Sequence, residues 1–142
     1  MKPIVMKGLK QILFPVLLIS LVFLWSCGGG GAQRQVQEEQ LSEVKESVSS
    51  DLYELRHDVM ERIAYVERQL EDATGETREV LKESHEELNA QLADLEQELE
   101  NVRTASLETW DSVIEQVNGT VIRVQERRNE VSLRVRELLE DE

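Results

Sequence analysis

The chain has 142 residues, 29 acidic and 16 basic side chains and a formal net charge of −13. That charge argues against nucleic acid as a partner, and against adhesion to anionic lipid by the acidic part itself. There is one cysteine, so no intramolecular disulfide can form, and aromatic side chains make up only 4% of the residues, thin for a globular core.

The first ten residues hold Lys2, Lys7 and Lys10, and no acid precedes Glu38. An apolar run follows from Ile12 to Trp25, interrupted by Pro15 and Ser20. It falls short of the roughly 20 apolar residues a helix needs to span a bilayer core. A basic start, a short apolar centre and a small residue before a break are the marks of a secretory signal peptide. The competing reading is an uncleaved membrane anchor, against which Pro15 and the short run both count.

The run ends in Leu24-Trp25-Ser26-Cys27, followed by Gly28 to Gly31. Leu24, Ser26 and Cys27 resemble the lipobox of bacterial lipoproteins, with Trp25 at its tolerant second position. The resemblance covers about the first 27 residues. It implies cleavage between Ser26 and Cys27, a diacylglyceryl group on the Cys27 sulfur and, in many bacteria, a further acyl chain on the new amino group. Each buried methylene contributes about 0.8 kcal/mol, so two or three chains hold where one is marginal. Gly28 rather than aspartate after the cysteine implies, in enterobacteria-like systems, onward transport to the outer membrane. The glycines, within a segment 27–33, read as a flexible leash.

Cleavage would leave 116 residues and, with the leader's three lysines gone, a net charge of −16. Both prolines lie in the leader, and beyond the leash only Gly75 and Gly119 remain as glycines. So little turn chemistry, with Glu, Gln, Leu, Arg and Ala abundant, predicts long helices. Leu41, Val44 and Val48 recur 11 residues on as Leu52, Leu55 and Val59, and again as Ile63, Val66 and Leu70. Eleven residues make about three helical turns, so this stripe stays on one face. From Leu81 the pattern changes: Leu88, Leu92, Leu95, Leu99 and Val102 alternate steps of four and three, a heptad seam. Trp110, Val113, Val117, Val121 and Val124 continue a helical stripe.

Two breaks are expected. Gly75 suits a helix end with glycine just past the last turn. Asn118-Gly119, flanked by β-branched residues, suits either a helix end or a hairpin turn; the stripe through Val117 favours the helix end. The expectation is an all-α domain over 34–142, with helices of about 34–73, 77–117 and 120–140. These would form an antiparallel helical hairpin or coiled coil with a shorter third helix, or a parallel homo-oligomer.

Seven acids and no lysine or arginine lie between Glu83 and Val102, whereas Arg123, Arg127, Arg128, Arg134 and Arg136 dominate the last segment. The arginines are expected beside the acidic middle helix, or free as an interaction face. His57 with Glu61, and His85 with a nearby glutamate, have metal-like spacing but lack a marked third ligand. No catalytic, metal or cofactor site is expected, and the chain reads as a non-enzyme. The function these features point to is a lipid-anchored cell-envelope protein that acts as a spacer or docking rod for a protein partner. The alternatives are a lipid-binding or chaperone-like helical protein, and an accessory subunit of an envelope enzyme. Murein-linked lipoproteins finish in a lysine, whereas this chain finishes in Glu140-Asp141-Glu142, so covalent wall attachment is not expected.

Overall fold

The computed structural model describes residues 30–141. The leader, the Cys27 lipidation and cleavage site and residues 28 and 29 of the glycine leash lie outside the described residues, whereas residues 30–33, expected in the leash, form the start of the first helix. Three helices make up the rest: α1 (Gly30–Asp72), α2 (Gly75–Thr104) and α3 (Trp110–Glu140). Among the described residues there is no strand, and the all-α expectation holds.

The direction of each helix is set by what it touches. The Lys45 ammonium reaches the carbonyls of Arg103, at 3.3 Å, and Ala105; Arg56 reaches Glu96; Glu67 meets His85. Residue numbers rise on α1 as they fall on α2, so the pair is antiparallel. Glu98 meets Thr120 and Glu87 meets Arg134, so α2 and α3 are antiparallel too. Asp58 meets Arg128, and α1 and α3 therefore run parallel. The result is an up-down-up three-helix bundle, and the helical hairpin expected from the sequence is its core motif.

Each helix gives one stripe to a shared core. α1 contributes Leu52, Leu55, Val59, Ile63 and Val66; α2 contributes Leu81, Leu88, Leu95 and Val102; α3 contributes Val117, Val124, Val131 and Val135. On α2 the leucines recur every seventh residue, as knobs in a helical seam require. The intervening seam positions on α2 are polar: Ser84, Gln91 and Glu98 are all buried. Leu92 and Leu99, expected in the seam, sit half-buried at its edge. On α3 the facing side chains are short, valine and Thr120. Cα–Cα separations of 8 Å or less therefore link α2 to α3, whereas α1 lies further from both. The first part of the α1 stripe is less covered: Leu41, Val44 and Val48 are half-buried.

The first turn falls where expected. Gly75 has φ of 61°, a conformation that costs any other residue type strain. The last carbonyls of α1 are satisfied from across the turn: Arg78 donates to the Leu70 carbonyl at 2.8 Å and to the Ala73 carbonyl at 3.3 Å.

The second turn does not. The helix expected over 77–117 ends at Thr104, and the break expected at Asn118-Gly119 lies within α3. The chain reverses instead through residues 105–109. The Thr109 amide donates to the Ser106 carbonyl at 3.2 Å, and the Ser106 amide donates to Thr109 Oγ1 at 2.9 Å. Ala105, 8% exposed, anchors the turn to the core. Asn118 and Gly119 both face solvent. A glycine in a helix interior costs about 1 kcal/mol. Breaking there would forgo the alignment of Val117, Thr120 and Val124, each buried valine alone worth about 1.5–3 kcal/mol. Burial outweighs propensity. The third segment is thus 31 residues, matching α2 at 30 and shorter than α1 at 43.

Candidate functional site

The arginines of α3 fan out to different neighbours. Arg134 donates to Glu87 of α2 at 3.0 Å. Arg123 lies 3.6 Å from Asp94 of α2 and also donates to Thr120 Oγ1 at 3.3 Å. These two meet the acidic middle helix, as expected. Arg128 turns the other way and donates to Asp58 of α1 at 2.9 Å. Arg136 sits 4.0 Å from Glu140 on its own helix. Arg127 is exposed. The five therefore do not make one face, because the steps between them are four, one, six and two residues, and all but the first turn away from the preceding side chain. Exposed pairs of this kind contribute about 0–1 kcal/mol each. The Glu87 hydrogen bond, foremost, holds the Arg134 guanidinium above its usual range. Near the end of α2, the hydrogen bond from Arg103, at 2.8 Å, lowers the Glu100 carboxyl below its ordinary value.

A groove runs along the seam of the two parallel helices, α1 and α3. One part is an open hollow of about 650 Å³ beside Asp58, Glu61, Arg62, Tyr65, Arg68 and Arg128. The next encloses about 300 Å³ and shares Arg62 and Tyr65 with the first, adding Leu133 and Arg136 from α3. The standoff of α1 opens this seam. Tyr65 is 39% exposed and Leu133 47%, so an aromatic and an aliphatic side chain form an apolar strip between guanidinium groups. Among the described residues Arg62 and Arg68 take part in no ion pair. Four arginines against Asp58 and Glu61 leave the groove cationic in an otherwise acidic protein. The sequence reading looked for arginines on α3 alone. Arg62 and Arg68 were missed because their α1 stretch has no basic run, and only the parallel packing brings them beside α3.

A second polar feature is internal. Glu98, 4% exposed, accepts hydrogen bonds from Thr120 Oγ1 at 2.7 Å, Asn101 Nδ2 at 2.9 Å and Gln116 Nε2 at 3.3 Å. Further along the same seam the Ser84 hydroxyl and Gln91 Oε1 are buried with no hydrogen-bond partner among the described residues.

The histidines occupy surface positions. His57 lies 3.5 Å from Glu61, both well exposed, and His85 Nε2 lies 3.0 Å from Glu67 across the α1–α2 contact. Among the described residues no group of three or more His, Cys, Asp or Glu side chains is placed to hold a metal ion. No helix among them is long and apolar enough to cross a membrane. No protein-family model, curated protein or solved structure matches the chain.

Proposed function

We propose that the chain is a lipid-anchored bacterial envelope protein whose helical bundle serves as a docking module for a protein partner. The anchor is read from Leu24-Trp25-Ser26-Cys27 and the glycine leash behind it. One structural observation favours docking over lipid capture. The apolar stripes of all three helices face one another within a single chain, which leaves a largely charged and polar outer surface, with Val36, Tyr53, Met60 and Ile122 also exposed outside the α1–α3 groove. A protein held by acyl chains, carrying a charged rigid body on a short leash, presents that body to whatever faces the membrane. The partner could itself be an envelope enzyme, with this chain as its accessory subunit. The outer membrane is the proposed site, on the strength of Gly28.

A second reading is a lipid-binding or chaperone-like protein that opens around an apolar client. The polar seam favours it: Ser84, Gln91 and Glu98 replace apolar side chains where α2 meets α3, and unpaired buried polar atoms weaken that contact. Fractionation and liposome titration separate the readings. The docking module stays with membranes until Cys27→Ser releases it, and its helix content and melting are unmoved by added liposomes. Release of α3 from the bundle on adding neutral liposomes would favour the second reading. A Cys27→Ser chain that remains membrane-bound would count against the anchor.

A further inference from the structure

We propose that the α1–α3 groove binds an acidic amphipathic segment of a partner protein, its apolar side chain seated on Tyr65 and Leu133 and its carboxylates on Arg62 and Arg68. This rests on the docking reading above and names the surface and the chemistry of what docks.

Three observations converge on the groove. Two adjoining cavities, of about 650 and 300 Å³, share Arg62 and Tyr65 and so form one continuous trough. Its charge is opposite to that of the whole chain, so an anionic ligand is drawn to this seam and repelled elsewhere. Its arginines differ in their commitments: Arg128 is held by Asp58 at 2.9 Å, whereas Arg62 and Arg68 are in no ion pair among the described residues. Guanidinium groups not engaged by the fold can receive carboxylates in paired hydrogen bonds.

The apolar strip decides among anions. A phosphate polymer needs only charge and gains nothing from Tyr65 or Leu133. Nucleic acid, charged along its whole length, runs beyond the trough into the repelling field of a chain at −13. A second copy of this chain brings the same net charge. A peptide helix with carboxylates flanking an aliphatic residue satisfies both parts of the trough, and helices dock in grooves by such an apolar edge. Arginine and tyrosine are also the side chains that dominate interface energetics.

The test uses the full-length chain in detergent and a labelled 18-residue peptide, with two leucines on one helical edge flanked by four glutamates. A peptide of the same composition with leucines and glutamates scattered around the helix is the control. Fluorescence anisotropy is expected to show the ordered peptide binding at least tenfold tighter than the control, more weakly at high salt. Arg62→Glu with Arg68→Glu, both exposed positions, is expected to cost at least tenfold, and so is Leu133→Glu. Arg127→Glu, outside the groove, leaves affinity unchanged, and Tyr65→Phe retains it where Tyr65→Ala does not. Circular dichroism confirms that each variant is folded. Equal binding of both peptides, displacement by polyphosphate at equal charge, or undiminished affinity in the charge-reversed chain would overturn the proposal. So would self-association abolished by the same reversal, which assigns the groove to a second copy. Membrane release by Cys27→Ser is read separately, so the groove can fail while the anchor stands.

Discussion

Thr120 Oγ1 donates a 2.7 Å hydrogen bond to Glu98, a carboxylate that is 4% exposed in the contact between α2 and α3. Arg123 donates to the same hydroxyl at 3.3 Å, so a guanidinium at the rim reaches the buried carboxylate through the threonine. A seam leucine in place of Glu98 would bury more apolar area. The polar pair is therefore expected to fix the register of α3 against α2 at some expense in adhesion.

Thr120→Val removes the shortest of the hydrogen bonds to Glu98 and leaves Asn101 and Gln116 in place. The expected loss is about 1 kcal/mol, a fall in melting temperature of roughly 4–8 °C for a domain of this size. Glu98→Leu combined with Thr120→Val removes donor and acceptor together and is expected to melt at or above the native chain. Thermal unfolding followed by circular dichroism reads both. A double variant less stable than Thr120→Val alone would contradict the assignment of Glu98 as a net cost.

Gly75 and Gly119 predict opposite outcomes. At each, an added Cβ would meet nothing within 4 Å, so only the backbone decides. Gly75 has φ of 61°, and Gly75→Ala is expected to destabilise by about 1 kcal/mol or more. Gly119 lies inside α3, and Gly119→Ala is expected to stabilise by about 0.5–1 kcal/mol. Urea unfolding of the two variants measures the difference. Destabilisation by Gly119→Ala would restore the turn at Asn118-Gly119.

Glu100 is expected to titrate below the ordinary glutamate value, because the Arg103 hydrogen bond favours its charged form. A carboxyl whose folded value is lowered contributes stability above its unfolded value of about 4.3. That contribution is lost as pH falls through the folded value. Carboxyl carbon shifts followed by NMR across the acid range would show this, and Arg103→Gln should raise Glu100 back towards its ordinary value. The pair is fully exposed, so its effect on global unfolding is expected to be small.

Much of the fold was legible in apolar spacing, because burial on one face of a helix writes its period directly into residue types. The 11-residue recurrence through Leu52, Leu55, Val59, Ile63 and Val66 is the buried face of α1. Gly75 was legible because a left-handed turn residue has a distinctive side chain: none. The second turn was not. Residues 105–109 contain neither glycine nor proline and close through the backbone and hydroxyl of Ser106 and Thr109, a weaker signal than Asn-Gly. The cluster Thr104, Ser106, Thr109 was the clue available. Ser84, Gln91 and Glu98 also escaped, because polar residues at seven-residue spacing look like a solvated face until Thr120 and Gln116 are found opposite. The groove was illegible for a related reason: Arg62 and Arg68 are 60 or more residues from Arg128 in sequence, and only the helix order makes them neighbours.

The claim on which the function turns is the fatty anchor at Cys27, and the intact mass of the protein extracted from its own membranes tests it most directly. The account predicts a chain that starts at Cys27 and carries a diacylglyceryl group, with or without a further acyl chain. A mass equal to residues 1–142 with a free thiol would contradict it.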